Sequence, residues 1–273
     1  MTKLIIHVLV IVASMLVYFN DFSTLLNGTS LGLFSASIIA VLIITIEFAT
    51  NNYGNILNII KSVFIKNIRL SCAYLYVIKY EDKYLLVKNN HRDSFQLVGG
   101  VFKRNEQSNA FLNSIEITED DKLPTSGRNK NDLRLYIKGK HLSKFLNWYN
   151  TKKEREISYS REFYEELIEP SYLDYNIFPY PNFVYKKQII TPIIKKPYFN
   201  CYEVLIYDIV ELSLNSKQNF EIGKLFKKGN TDNIKWSDIQ TIRNEGYNST
   251  SRKTDYIIGD HTKWAIDKKY YKI

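Results

Sequence analysis

Arg161-Glu162-Phe163-Tyr164-Glu165-Glu166-Leu167 packs three acids and a base into seven residues. On a helical period Glu162, Glu165 and Glu166 share one sector, while Phe163 and Leu167 fall on another. The apolar pair anchors the helix and the acids project together. Three clustered carboxylates repel one another unless a cation joins them, and hard divalent ions prefer oxygen ligands of this kind. Arg161 lies one turn from Glu165, close enough to orient it by a charge-assisted hydrogen bond. A Glu-rich stretch standing alone is ordinarily a solvated helix face. Here it follows Gly100-Val101-Phe102-Lys103-Arg104-Asn105-Glu106, a Gly-x5-Glu element that supplies a turn and a further acid.

Together the two elements resemble the Nudix box, G-x5-E-x7-R-E-U-x-E-E-x-G-U, where U is a bulky apolar residue. The resemblance implies an α/β/α sandwich around a mixed sheet, in the α/β (α+β) class, and metal-dependent hydrolysis of a nucleoside diphosphate linked to another group. It implies Glu165 and Glu166 as the principal metal-binding and catalytic acids and Glu162 as a third metal-holding acid. Arg161 becomes the orienting arginine and Glu106 an auxiliary catalytic acid. Gly100 is the turn glycine whose carbonyl joins the metal shell, and the ion is Mg2+ (or Mn2+). Which glutamate acts as base stays open.

Two departures from the pattern stand out. About 54 residues separate Glu106 from Arg161 where the box has seven, so about 47 are inserted, within an insertion spanning about 107–160. That stretch holds an acidic run over 116–121, an expected strand over 132–138 and an expected helix over 142–149. It reads as a lid or dimerisation element rather than a structureless loop. Second, Ile168 and Glu169 stand at the closing Gly-U positions. Glycine permits a left-handed helix end that isoleucine resists, and Pro170 offers another way to stop the helix.

Outward from the box, residues 72–79 and 83–88 read as a β-hairpin and 94–98 as a short strand running into Gly99-Gly100. Residues 182–190 and 202–212 read as strands, the latter apolar enough for the centre of a sheet. Ile234-Lys235-Trp236-Ser237-Asp238 ends a strand and caps a helix beginning near Ile239. Between Tyr172 and Lys196, tyrosines and phenylalanines alternate with Lys186, Lys187, Lys195 and Lys196. Rings of this kind stack on bases and lysines pair with phosphates, though a Tyr-rich chain with 21 tyrosines also places them in ordinary strands.

The first fifty residues differ in texture. Residues 4–19 and 31–49 are nearly uninterrupted apolar runs, read as a two-helix transmembrane hairpin; a cleaved signal peptide is the competing reading of the first. The loop between them has no Lys or Arg, whereas Lys3 precedes the first run and Lys61, Lys66 and Arg69 follow the second. Both ends are therefore expected in the cytoplasm of a bacterial inner membrane. Residues 51–70 read as an amphipathic connector, and 71–273 as one cytoplasmic domain. The net charge of +9 lies wholly outside the apolar segment, which suits phosphate ligands or an anionic membrane face. Two cysteines in separate apolar runs exclude a disulfide scaffold, and four histidines without ligand spacing do not suggest zinc.

A Nudix domain with an interrupted box behind two spans is similar to the SMODS-associated Nudix effectors of bacterial CBASS antiphage systems, of the CD-NTase-associated protein 16 type. That resemblance implies activation by a cyclic oligonucleotide from a partner CD-NTase, a nucleotide substrate, contact with membrane lipid, self-association into a homo-oligomer, and abortive infection. A sensor that binds the nucleotide without cleaving it, with the spans breaching the membrane, is the alternative. A housekeeping hydrolase at the membrane is a third reading.

Overall fold

The computed structural model describes residues 36–43, 53–89, 92–120, 122, 127–196 and 200–267. Among them no helix is long and apolar enough to cross a membrane. The expected span 4–19 lies outside the described residues, and of 31–49 only 36–43 are described, as a helix (α1). The chain divides into two compact units, Met1–Ile60 and Lys61–Ile273. Helix α2, Tyr53–Ser62, runs across that boundary. Ile60 near its end, and Val63 and Phe64 in the turn after it, are exposed.

The second unit is built on a seven-stranded sheet. Its strands are β1 (Ile68–Val77), β5 (Gly99–Val101), β6 (Thr118–Glu119), β7 (Arg134–Ile137), β8 (Asn182–Ile190), β9 (Ile194–Lys196) and β10 (Cys201–Ser213), in the order β6-β7-β1-β10-β8 with β5 on β1 and β9 on β10. Only β1 and β10 run parallel, from Ile68↔Tyr202 to Val77↔Glu211; the other pairs are antiparallel, so the sheet is mixed. The long apolar run over 202–212 does occupy a central strand, buried on both faces as its composition demands.

Helices cover both faces, and α6 (Ser216–Lys228) buries Ile222 and Leu225 in the same core cluster as Tyr74. Tyr74 and Tyr76 of β1 turn to the side of Phe163, whereas Leu75 and Ile209 pack with Ile242 of α7 (Ile239–Arg243) and Ala265 of α8 (Asp260–Ile266). A second sheet contains β2 (Lys79–Tyr80), β3 (Lys83–Lys88), β4 (Phe95–Leu97) and β11 (Ile234–Asp238), ordered β11-β3-β2 with β4 on β3. Its tight turn at Glu81-Asp82 joins β2 to β3. The expected hairpin over 72–88 is therefore corrected. Cys72 to Tyr76 are buried from both sides in the large sheet, and the chain changes sheets at Ile78. Asp238 caps α7, accepting from Thr241 N at 2.7 Å, as the sequence predicts.

The insertion in the box is part of the fold. It holds α3 (Asn109–Ser114), β6, β7 and α4 (Leu142–Thr151). β7 adds to β1 in register Ile68↔Ile137 to Ser71↔Arg134, and α4 buries Phe145, Leu146 and Tyr149 in the main core. Arg69 of β1 reaches into it: its guanidinium pairs with Asp120 at 2.6 Å and with Glu203 at 2.5 Å, all three nearly fully buried. A buried arginine between two carboxylates ties the insertion to both central strands.

Candidate functional site

The acid helix begins as α5, Ser160–Phe163, with Tyr159 at its N-cap. It then opens into a π-turn, Tyr164–Ile168, whose i+5 bond runs from Glu169 N to Tyr164 O at 2.8 Å. A π-turn accommodates one residue more than an α-turn and recurs at functional sites. Here Glu165, Glu166 and Leu167 all sit within it. Ile168 continues the helix and packs on the core instead of ending it. The left-handed residue falls three positions later, at Ser171 with φ 60°, just after Pro170. The helix end that the box assigns to glycine is thus made by a different residue.

β5 and the helix are fitted to each other through the two glycines. Gly99 has φ +148°, and a Cβ on it would lie 2.1 Å from Tyr74 O, so no side chain fits. Its N–H donates to Glu166 Oε2 at 2.9 Å. A Cβ on Gly100 would lie 2.0 Å from Glu162 Oε1, so the bare backbone leaves room for that carboxylate. Glu162 N in turn donates to Tyr74 OH at 3.4 Å.

Arg161 is the hub. Its Nε and Nη2 grip the two oxygens of Glu156 at 3.1 and 3.2 Å, Nη2 also donates to Val101 O at 2.7 Å, and Nη1 pairs with Glu162 and, at 3.5 Å, with Glu165. Glu156 also accepts from Lys103 N at 3.0 Å. Arg128, from a 3-10 turn in the insertion, reaches Glu165 at 3.8 Å and Glu169 at 2.8 Å.

The electrostatics follow from this crowding. Burial, with help from the neighbouring Glu162 and Glu165, pushes the Glu166 carboxyl up to about 8, although the Gly99 N–H opposes the rise. Burial raises Glu162 as well, against the pull of Arg161. Arg161, fenced by acids, is raised further above an already high value despite its burial.

The structure brings together five of the six predicted site residues: Gly100, Arg161, Glu162, Glu165 and Glu166. Glu106 is not among them. It opens an exposed 3-10 turn, Glu106–Ser108, and among the described residues its carboxylate has no hydrogen bond or ion pair. The acid that clamps the arginine is Glu156, near the far end of the insertion, five positions before Arg161. Sequence reasoning missed it because spacing was counted from the glycine side of the insertion. An acid close upstream of the Arg-Glu pair was the available signal.

No three His, Cys, Asp or Glu side chains among the described residues are arranged to hold a metal ion. Two carboxylates nevertheless already share one cation, the Nη1 end of Arg161, and a third lies beside them with a raised pKa. Carboxylate oxygens are the donor type that a hard divalent ion takes.

Among curated proteins none matches the chain. A family model described as the SMODS-associated NUDIX domain matches residues 67–266, which run from the approach to β1 to the end of α8 and include the acid helix and the whole insertion. With some three quarters of its length matched and the acid helix set against the Gly99-Gly100 strand, the chain belongs to the SMODS-associated Nudix family.

Proposed function

We propose that this protein is a membrane-anchored CBASS effector, of the CD-NTase-associated protein 16 type, in which a cyclic nucleotide signal switches on metal-dependent hydrolysis of a nucleoside-diphosphate substrate and so leads to abortive infection. Family membership supports the defence context. The observation that carries the chemistry is the Arg161 hub, which holds Glu162 and Glu165 together beside β5 while Glu166 is fixed to Gly99. Glu162, Glu165, Glu166 and the Gly100 carbonyl would hold Mg2+ or Mn2+. Such an ion neutralises the diphosphate and lowers the pKa of bound water. Arg161, held by Glu156 and Val101 O, keeps Glu162 and Glu165 on a common side. Glu166 Oε2 stays with the Gly99 N–H, and in the metal-free site burial pushes its carboxyl up to about 8. Glu165, with a side chain 20% exposed against 14% for Glu162, takes the proton from the attacking water.

The membrane reading draws support from the apolar runs over 4–19 and 31–49 and from the exposed Ile60, Val63 and Phe64 beside Lys61 and Lys66. Apolar groups flanked by lysines suit the face of an anionic bilayer. Both termini and the Nudix domain lie in the cytoplasm on this reading, and the effector assembles as a homo-oligomer.

The test uses the full chain in detergent micelles with Mg2+ and a panel of nucleoside-diphosphate substrates, with and without cyclic oligonucleotides. Hydrolysis is expected in the wild type and not in the Glu165→Gln, Glu166→Gln double variant. No hydrolysis under any condition sinks the enzymatic reading.

A second reading, a nucleotide sensor without catalysis, is favoured by one observation: Ile168 and Glu169 stand at the closing Gly-U positions of the box, and the left-handed residue falls instead at Ser171. Undiminished phage protection by the double variant would select it.

A further inference from the structure

Every nitrogen of Arg161 is engaged, by Glu156, Val101 O, Glu162 and Glu165. It can orient acids but has no donor left for a substrate. A site for an anionic diphosphate next to this many carboxylates needs another cation. Among the described residues the second cation in ion-pair range of the helix acids is Arg128. Its anchorage and its tip behave differently. The backbone carbonyl of Arg128 accepts from Lys103 Nζ, which also pairs with Asp132, so the turn Gly127–Asn129 is tied to the body of the domain. The side chain is 66% exposed, and its guanidinium rests on Glu165 and Glu169 at the solvent edge of the site. Exposed pairs of this sort are weak and exchange readily. A planar guanidinium offers paired donors that match phosphate oxygens in a way a lysine does not.

We infer that Arg128, carried on the insertion, is the phosphate-binding residue of this site: it leaves Glu165 and Glu169 to hold the diphosphate of a nucleotide ligand. The inference rests on the proposed function, which makes the ligand a nucleoside diphosphate. It also gives the insertion a role in ligand recognition.

The experiment measures binding of α,β-methylene-ADP, which resists cleavage, to the full chain in detergent micelles with millimolar Mg2+, by titration calorimetry. Mn2+ affinity without nucleotide is measured in parallel. Arg128→Gln is expected to weaken nucleotide binding at least tenfold, and Arg128→Lys by a few-fold, since it keeps charge but loses the fork. Mn2+ affinity should be unchanged or tighter in both, because a competitor for Glu165 has been weakened or removed. Unaltered nucleotide affinity in Arg128→Gln overturns the inference alone and leaves the function standing. Mn2+ affinity that falls as far as nucleotide affinity also overturns it, since Arg128 would then merely support the acid helix. A wild type that binds no diphosphate overturns it together with the proposed function.

Discussion

Replacing Gly100 with alanine puts a methyl group 2.0 Å from Glu162 Oε1 and 2.7 Å from its Cγ, while replacing Gly99 puts one 2.1 Å from the backbone oxygen of Tyr74. The two collisions differ in what can yield. At Gly100 the obstacle is a side chain that can rotate away, giving up its bond to Arg161. A charge-assisted hydrogen bond contributes about 1.5–3 kcal/mol, and the lower unfolded-state entropy of alanine returns about 0.4–1 kcal/mol. The net loss for Gly100→Ala is therefore about 1–2 kcal/mol, and the protein stays folded. At Gly99 the obstacle is the neighbouring strand and φ is +148°. Backbone strain of about 1–3 kcal/mol adds to overpacking of about 1–3 kcal/mol, a loss near 4 kcal/mol that removes much of a typical domain's stability. Denaturant unfolding followed by tryptophan fluorescence measures both. Mn2+ calorimetry on Gly100→Ala should show affinity reduced by at least the ~10–100-fold seen when a ligand's supporting partner is lost. Equal destabilisation by the two variants, or wild-type Mn2+ affinity in Gly100→Ala, would refute the reasoning.

Three further outcomes are expected. Glu156→Gln leaves Arg161 facing a neutral partner in a site where Glu156 is 14% exposed, and should cost about 2–3 kcal/mol on thermal melting as well as most of any hydrolysis; Glu106→Gln should alter neither. The metal-free chain should lose stability as pH rises. A carboxyl whose folded pKa is raised to about 8 from the ordinary carboxylate range binds its proton more tightly when folded, so its contribution is full below about pH 4.5 and is lost as pH climbs towards 8. Denaturant midpoints from pH 5 to 8.5 should fall in the wild type and flatten in Glu166→Gln. Arg69→Met strands Asp120 and Glu203 in the core and should cost about 3–5 kcal/mol, whereas also changing both acids to apolar residues should restore most of it; unaltered unfolding in the single variant would disprove the account.

The acid helix was legible because amphipathic spacing and charge coincide in Arg161 to Leu167, and the strand over 202–212 because its apolar run is long. Geometry that depends on distant partners was not. The π-turn has no local signature, since it arises from fitting Phe163, Leu167 and Ile168 into one core. β1 gave no sign of leaving its neighbour β3 for another sheet, as both are rich in Leu, Val and Tyr. The clamp on Arg161 was not legible, because an interrupted motif keeps its residue types but loses its count, and the pattern offers Glu106 only as an auxiliary acid. Glu156 takes the part because the insertion returns to the helix beside β5, where Lys103 N fixes the same carboxylate.

The parallel pairing of β1 with β10 also bears on how the chain assembles. Partners in that pair lie 134 positions apart, against about 28 for β1 and β5. By the logarithmic dependence of loop closure on length, joining the distant pair costs roughly 1.4 kcal/mol more in chain entropy. Local contacts come first in such a topology. β5 and then β7 flank β1 while its other edge is still bare, and the acid helix, made before β10 in the direction of synthesis, has its glycine strand waiting. During translation the acid helix and its glycine strand are made before β10 can close the sheet, and the exposed edge of β1 is the surface a chaperone would have to guard in the interval.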